Sequence, residues 1–281
     1  MKKGCPYGTH RVIEPKGVLP QPANVIDNTM EIYDNEVLID VKTLNIDSAS
    51  FTEIERRAGG DIEEILEVRP EIDQVDIKGQ AILFQSGIYA KLPEDMEEGL
   101  ALSALDVAGA PAQTAKLVKP GDTVVVIGGG GKSGLLCLYE AKKRAGVTGK
   151  VICVAGSPKS EARARNLDLA DEYFSFDATD AVGMYDKIYE LTNGELADIV
   201  INCVNIENTE MASILATKDD GLVYFFSMAT SFTKAALGAE GVGKDVTMMV
   251  GNGYTKGHAE ITLQCLREHE GLRKLFQEMY A

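Results

Sequence analysis

A run of four glycines stands between an apolar stretch and a long stretch of helix-forming residues. Residues 123–127 are rich in β-branched side chains and predict a buried parallel strand, and residues 135–146 predict a helix. Between them, Gly129, Gly131 and Gly134 have the spacing G-x-G-x-x-G. Because glycine lacks a Cβ, the chain can turn sharply there and approach a pyrophosphate closely. The strand, turn and helix therefore predict a dinucleotide-binding turn.

Lys132 and Ser133 complete this turn and begin the predicted helix, whose positive end favours a phosphate. The Gly-Lys-Ser triplet also resembles the end of a P-loop. A P-loop needs a glycine five residues before Gly131, however, and that position is Val126. A glycine-rich turn without a ligand is the remaining alternative.

Composition and charge limit the class of protein. The chain has 281 residues, 45% of them apolar and 25% charged, which is typical of a soluble globular protein with room for two domains. Its net charge of −15 argues against a nucleic-acid partner and is compatible with a small cationic substrate. We find neither an apolar run of membrane-spanning length nor an apolar signal core, so we expect no membrane partner.

The cysteines and histidines predict a reducing compartment and no metal site. Most of the five cysteines stand inside apolar segments, as buried thiols in a cytoplasmic protein do. No CxxC motif occurs, and the three histidines are not at ligand spacing.

Residues 119–256 alternate short apolar strands with helices, which predicts a doubly wound parallel sheet of the α/β class. The predicted strands are 123–128, 150–155, 172–175, 197–203, 221–226 and 246–250. The predicted helices are 132–145, 158–168, 180–192 and 208–217, with 257–280 as a C-terminal helical segment that packs back on the structure. Residues 232–243 hold several glycines and are expected to form a loop or long connector.

Residues 1–93 have a different pattern and predict a smaller β-rich domain. Residues 36–44 alternate as a half-buried strand does, and residues 94–118 predict a helical linker. Further strands are expected at 10–13 and 80–84, and helices at 50–57 and 61–68.

Together these features resemble the medium-chain dehydrogenases/reductases and, among them, the zinc-free 3,5-diaminohexanoate dehydrogenases of lysine fermentation. The resembling segments are 7–15, 44–51, 77–84, 105–116, 131–134, 202–205, 225–242 and 251–260. The resemblance implies a Rossmann sheet preceded by a GroES-like β-rich domain, NAD as cofactor with NADP tolerated, and a homodimer paired through strand 245–250. The implied reaction is oxidative deamination of (3S,5S)-3,5-diaminohexanoate to 5-amino-3-oxohexanoate and ammonia.

The chain departs from that family in its first domain. Members of the family carry a much longer stretch between the segments at 62–65 and 71–78, and here only a few residues join the two. Two alternatives therefore stay open. One is a zinc-free quinone or enone reductase of the same superfamily, and the other is a nucleotide-binding protein that has lost its chemistry.

Three polar residues follow the strongest N-terminal strand, where the superfamily has its cleft. Asp47 is a candidate to accept a proton from the substrate ammonium or to hold it by charge, with Ser48 and Asn45 beside it. The alternative is that Asp47 or Ser48 caps a helix.

The remaining candidates stand at the ends of the Rossmann strands, where ligands bind in this fold. No carboxylate follows the second strand, so Ser157 and Lys159, with Arg163, are candidates to receive a 2′-phosphate; an ordinary helix start is the alternative. Backbone groups at later strand ends are expected to hold the nicotinamide ribose and carboxamide, although Asn252 between two glycines also suits a plain turn. These candidates are Cys203 and Asn205, Ser227 and Met228, and Asn252.

Overall fold

The computed structural model describes residues 2–46, 50, 74–251 and 253–281. Its N-terminal part contains two small antiparallel sheets. One joins β1 (Val12–Glu14) to β2 (Val25–Ile26), and the other joins β3 (Glu36–Asn45) to β4 (Gln74–Phe84). The strand predicted at 10–13 is wrong at its start, because Thr9–Arg11 form a 3₁₀ turn before β1. The helices predicted at 50–57 and 61–68 fall outside the described residues, apart from Ser50.

Two helices form the connection to the large sheet, within the helical linker predicted at residues 94–118. They are α1 (Glu98–Leu105) and α2 (Gly109–Leu117). The first is buried along Leu100, Ala101 and Ala104, which pack into the same core as the sheet. The linker is therefore part of the folded core.

The large sheet has six parallel strands in the order β10-β9-β8-β5-β6-β7. This order runs outward in both directions from β5, and it confirms the predicted doubly wound α/β fold. The strands are β5 (Thr123–Ile127), β6 (Lys150–Ala155), β7 (Glu172–Ser175), β8 (Ala197–Asn202), β9 (Thr217–Phe225) and β10 (Thr247–Val250).

Helices cover both faces of this sheet, so β5 is buried on both sides. Val124 and Val126 pack on one face and Val125 and Ile127 on the other, as the two-residue period of a strand requires. The helices are α3 (Lys132–Ala145), α4 (Pro158–Asn166), α5 (Ala181–Leu191), α6 (Glu210–Ala216), α7 (Phe232–Val242), α8 (His258–Glu268) and α9 (Glu270–Tyr280). No helix in the described part of the chain has both the length and the apolarity that crossing a membrane requires.

The structure differs from the sequence-based predictions for two helical segments. The loop expected at 232–243 is helix α7, which Ser231 caps by accepting a hydrogen bond from the Lys234 N–H; its Ala235 and Ala239 are buried against β9. The continuous segment expected at 257–280 is divided at His269, whose ring accepts from the Leu272 N–H and begins α9. In both places a local cap sets the helix boundary.

Candidate functional site

The glycine turn between β5 and α3 is packed too tightly for side chains at four of its positions, Gly128, Gly129, Gly130 and Gly134. A Cβ on Gly134 would lie 2.1 Å from the Gly128 carbonyl oxygen, and a Cβ on Gly130 would lie 2.1 Å from the Ser160 carbonyl oxygen. At Gly129 it would lie 2.6 Å from the Cys153 Sγ. These glycines let α3 and α4 approach the ends of β5 and β6, so the fold itself requires them.

Gly131 is different, because the protein leaves room for a side chain there. A Cβ would meet its nearest neighbour, the Gly128 carbonyl oxygen, at 3.4 Å, and φ is −91°. Gly131 is also the N-cap of α3 and gives that helix no side-chain cap, whereas α4 begins with a capping box between Ser157 and Ser160. The N–H groups of the first turn of α3 are thus left for another acceptor. The turn therefore fits the pyrophosphate of a dinucleotide.

The Lys132 side chain turns from the glycine turn toward the linker and the C-terminal helix. Its Nζ lies 3.4 Å from Asp106 Oδ2 and 5.0 Å from the centre of the Tyr280 ring. Both charged side chains of this ion pair are largely buried. The Lys132–Asp106 ion pair joins the glycine turn to the connection between α1 and α2. Ser133, in the first turn of α3, is half-buried. Nothing in the sequence indicated that Asp106 and Tyr280 would lie next to this turn.

The end of β6 is open and carries no acidic side chain between residues 155 and 159. A Cβ on Gly156 would have no atom within 4 Å. Ser157 is engaged in the capping box of α4, and Lys159 is exposed beside it. Arg163 donates from Nη1 to the Gly130 carbonyl oxygen at 3.0 Å, which ties α4 to the glycine turn.

Asn202, the last residue of β8, organises the neighbouring strand end. Its side chain is fully buried and donates from Nδ2 to the hydroxyls of Thr209 and Ser213, both at 2.9 Å. Its Oδ1 accepts from the Val204 N–H at 3.0 Å, and its carbonyl oxygen accepts from the Ser227 N–H at 3.3 Å. Asn202 was missed in the sequence, although a polar residue at the end of an otherwise apolar strand is a signal for such a role.

The ends of β5, β8 and β9 come together beside the glycine turn. The Cys203 N–H donates to the Ile127 carbonyl oxygen at 2.9 Å, and the Cys203 Sγ lies 3.9 Å from that of Cys137 on α3. Burial raises the pKa of the Cys137 thiol well above its ordinary value.

The other candidates at these ends differ in exposure. Asn205 and Met228 are exposed, and Ser227 Oγ accepts from the Ala229 N–H at 3.1 Å. Asn252 lies outside the described residues.

Asn45 ends β3 and is half-buried. Its Oδ1 lies 3.4 Å from Gln74 Nε2, and its buried Nδ2 has no hydrogen-bond partner in the structure as described. Asp47 and Ser48 lie outside the described residues, so their role stays a prediction. Among the described residues, no group of three or more His, Cys, Asp or Glu side chains could hold a metal ion.

Comparisons with known proteins match both parts of the chain. Residues 10–67 match the L-erythro-3,5-diaminohexanoate dehydrogenase N-terminal domain family, and residues 134–255 match the zinc-binding dehydrogenase family. Solved structures share the fold at low identity. They include an alcohol dehydrogenase from Thermotoga maritima (TM-score 0.54, 16% identity, 85% of this chain and 68% of that chain) and mycobacterial Rv1454c complexed with NADPH (TM-score 0.52, 17% identity, 87% of each chain).

Two relatives align with this chain over nearly its whole length. The L-erythro-3,5-diaminohexanoate dehydrogenase of Acetoanaerobium sticklandii is 52% identical over 342 aligned positions, covering 99% of each chain. That of Fusobacterium nucleatum is 50% identical over 344 positions, covering all of both. Since this chain has 281 residues, the relatives carry positions without a counterpart here. At this identity and coverage, the chain belongs to the L-erythro-3,5-diaminohexanoate dehydrogenase family.

Proposed function

We propose that this protein is a nicotinamide-dependent dehydrogenase that deaminates (3S,5S)-3,5-diaminohexanoate oxidatively to 5-amino-3-oxohexanoate and ammonia. The observation that carries the proposal is the glycine turn, where an uncapped helix start faces the open space above Gly131. The substrate is inferred from the two relatives, both named as dehydrogenases of this diamino acid. Quinone or enone reduction is not favoured, because neither relative is so named.

The chain's own groups would hold the cofactor at the carboxyl ends of the strands. The backbone at Gly131, Lys132 and Ser133 would bind the pyrophosphate, because the first-turn N–H groups of α3 point outward from the helix. Backbone groups at Cys203, Asn205, Ser227, Met228 and Asn252 would bind the nicotinamide ribose and carboxamide. When bound, the nicotinamide supplies an acceptor for the hydride that leaves the carbon bearing the 3-amino group. Water hydrolyses the resulting substrate imine.

The end of β6 favours acceptance of both NAD and NADP. A carboxylate there would repel a 2′-phosphate and hydrogen-bond a free ribose hydroxyl, and none stands at residues 155–159. Lys159 is exposed at this end, Gly156 leaves space, and the Ser157 hydroxyl lies on the same turn. We therefore expect NAD to bind, with NADP tolerated.

The substrate amine is assigned to the residues after β3. Asp47 would hold the ammonium by charge or take its proton, and Ser48 would hydrogen-bond it. The buried Nδ2 of Asn45 has no acceptor among the described residues, which supports a polar group at this strand end, because such groups in proteins normally find an acceptor.

A second candidate function follows from the shorter length of this chain. The match to the family's N-terminal domain ends at residue 67, and the relatives carry aligned positions that are missing here. A chain that lacks part of the substrate domain would still bind the nucleotide while turning over no amine. Both functions predict that the chain binds the nucleotide, and only the dehydrogenase predicts that it oxidises the amine.

We further propose a cytoplasmic homodimer paired through β10. This strand hydrogen-bonds only to β9 among the strands of the described chain, so its other edge would be covered by a second copy. Buried thiols at Cys137, Cys153 and Cys265 support a reducing compartment.

The function is tested by following reduced cofactor at saturating NAD or NADP with L-erythro-3,5-diaminohexanoate as the variable substrate, beside a fluorescence titration with NADH. The dehydrogenase gives cofactor binding together with substrate-dependent reduction. Binding without reduction selects the nucleotide-binding alternative. A folded protein that binds no cofactor contradicts both.

A further inference from the structure

A cavity of 360 Å³ lies beside the carboxyl ends of β9 and β10. Tyr224 and Met249, paired across these two strands, form its floor, and Gln113 of α2 forms a wall. The residues that follow β10 close its far side. The carboxyl edge of a doubly wound sheet is where ligands bind, so the cavity adjoins the region expected to hold the reacting end of the cofactor.

The charges in this cavity are all positive. Lys116 of α2 and Lys256 line it, and both side chains are exposed. Neither forms a hydrogen bond or ion pair with any other residue of the described chain. None of the residues found to line the cavity in the described structure is Asp or Glu, although the whole chain carries a net charge of −15. Two ammonium groups that have no counter-ion among the described residues favour the binding of an anion in this cavity.

The neutral polar groups of the cavity are fixed. Gln113 Oε1 accepts from the Thr255 hydroxyl at 2.7 Å, which anchors the residue next to Lys256. Burial raises the pKa of the Tyr224 phenol, so this group remains a neutral hydrogen-bond donor across the ordinary pH range. The cavity thus combines two exposed positive charges with a hydrogen-bonded pair, Gln113 and Thr255, and a neutral phenol.

We propose that this cavity binds the carboxylate of the substrate through Lys116 and Lys256, which extends the proposed function to a substrate-recognition site. The carboxylate of 3,5-diaminohexanoate is separated by one methylene from the carbon that loses the hydride. A carboxylate site must therefore adjoin the nicotinamide, and the cavity at Gly251 and the end of β10 lies at the edge of the sheet where the nicotinamide is expected. With the amine assigned to the residues after β3, the two ends of the substrate are held by different parts of the chain.

The test is calorimetric binding of L-erythro-3,5-diaminohexanoate to the full chain in the presence of NADH. Lys116→Met and Lys256→Met should each raise the Kd by about 10-fold, because each removes one charge-assisted contact. Lys256→Arg should retain most of the affinity. Lys119→Met, which makes the same change of charge on an exposed lysine before β5, should leave the Kd unchanged.

A second ligand isolates the carboxylate. Pentane-2,4-diamine carries both amines of the substrate and no carboxylate, so its Kd should be the same in the parent and in the Lys116→Met/Lys256→Met double variant. An unchanged Kd for the amino acid in that double variant, an equal loss for the diamine, or no binding of the amino acid by the parent would overturn the proposal. Because binding needs no turnover, lysine-dependent binding without oxidation would reject the dehydrogenase activity and leave the carboxylate site standing.

Discussion

The six-stranded sheet and the two-stranded sheet of β3 and β4 bury their apolar residues to very different extents. Within β5, residues Val124–Ile127 have no exposed surface. On β3 the side chains of Val37 and Leu44 are 55% and 43% exposed, and β4 is its partner among the described strands. A parallel sheet covered by helices on both faces is stabilised by the apolar area that it buries. A two-stranded sheet buries little on its own and needs further packing to be stable.

The two regions are assigned different tasks, cofactor binding and recognition of the substrate amine. The groups assigned to the cofactor lie on the buried sheet and its helix starts, while those assigned to the substrate amine follow β3 in the N-terminal part. The relatives align over more positions than this chain possesses. Cofactor binding should therefore tolerate damage to the N-terminal part, and turnover should not.

The largest expected effect comes from breaking the buried ion pair of the N-terminal part. The Arg11 guanidinium, 2% exposed, donates to Glu36 from Nε at 2.9 Å and from Nη2 at 2.5 Å. Arg11→Met removes the guanidinium from the buried Glu36 carboxylate and leaves it with His10 Nε2 at 2.7 Å and the Tyr33 N–H at 2.9 Å, which costs about 3 kcal/mol or more. Hydrogen exchange should accelerate by more than about 10²-fold in residues 12–45 and stay unchanged in β5 and β6.

The control for this change is Lys16→Met, which removes an exposed charge from the same segment and should alter neither region. Acid gives an independent check. The hydrogen bonds from Arg11 lower the pKa of Glu36 from 4.5 to about 2, so the ionised carboxylate stabilises the fold fully above pH 4.5. That contribution should disappear as the pH falls from about 4.5 toward 2. Equal acceleration of hydrogen exchange in the large sheet would contradict the claim that its stability is independent of the N-terminal part.

The next largest effect is expected at Asp47. If its carboxylate holds or deprotonates the substrate amine, Asp47→Asn lowers kcat by about 10²-fold or more and leaves the affinity for NADH unchanged. Asn caps a helix as well as Asp does, so a capping role alone predicts little change in steady-state kinetics. Full amine-dependent activity in the variant would remove Asp47 from the mechanism.

A smaller effect is expected from Gly131→Val. The backbone at Gly131 is extended and a Cβ fits there, so the variant should fold, while its branched side chain occupies the space of the pyrophosphate. The Kd for NADH should rise at least 10-fold, about 1.4 kcal/mol. The chain has no Trp, so the fluorescence of bound NADH can be followed without tryptophan emission.

Gly241→Val is the matched control, because a Cβ at Gly241 of α7 also has free space, at a site with no assigned role. An unchanged Kd in folded Gly131→Val protein would exclude the glycine turn as the cofactor site.

The smallest expected effect is that of a metal chelator. The sequence has no ligand cluster at metal spacing, so incubation with a strong chelator should change neither Tm nor turnover. Stoichiometric zinc in elemental analysis of the purified protein would contradict this prediction.

The sequence predicted the large sheet well because its signals are local. Residues 150–155 and 172–175 were predicted with the bounds that β6 and β7 have. The buried β6 is a nearly continuous apolar run, while β7 is a short, half-buried strand at the edge of the sheet. Helix α7 was missed because its glycines suggested a loop, and its burial against β9 is a tertiary contact that no local pattern records.

The site was less accessible to prediction than the fold. The glycine spacing predicted the turn, because Gly129 and Gly134 are needed for close packing and Gly131 leaves space at the helix start. The pairing of Lys132 with Asp106, the network at Asn202 and the basic cavity between α2 and β10 all join residues that are distant in sequence. Such contacts depend on how the linker helices and the last strands pack, and the chain order alone does not fix that packing.

The most direct test of the account is the stoichiometry of product formation by the full-length chain, with ammonia and reduced cofactor measured in the same sample. With L-erythro-3,5-diaminohexanoate and NAD or NADP, the account predicts one ammonia for each cofactor reduced, and a signal that requires the substrate. Cofactor binding without either product, or reduction without release of ammonia, would contradict the assignment as an amine dehydrogenase.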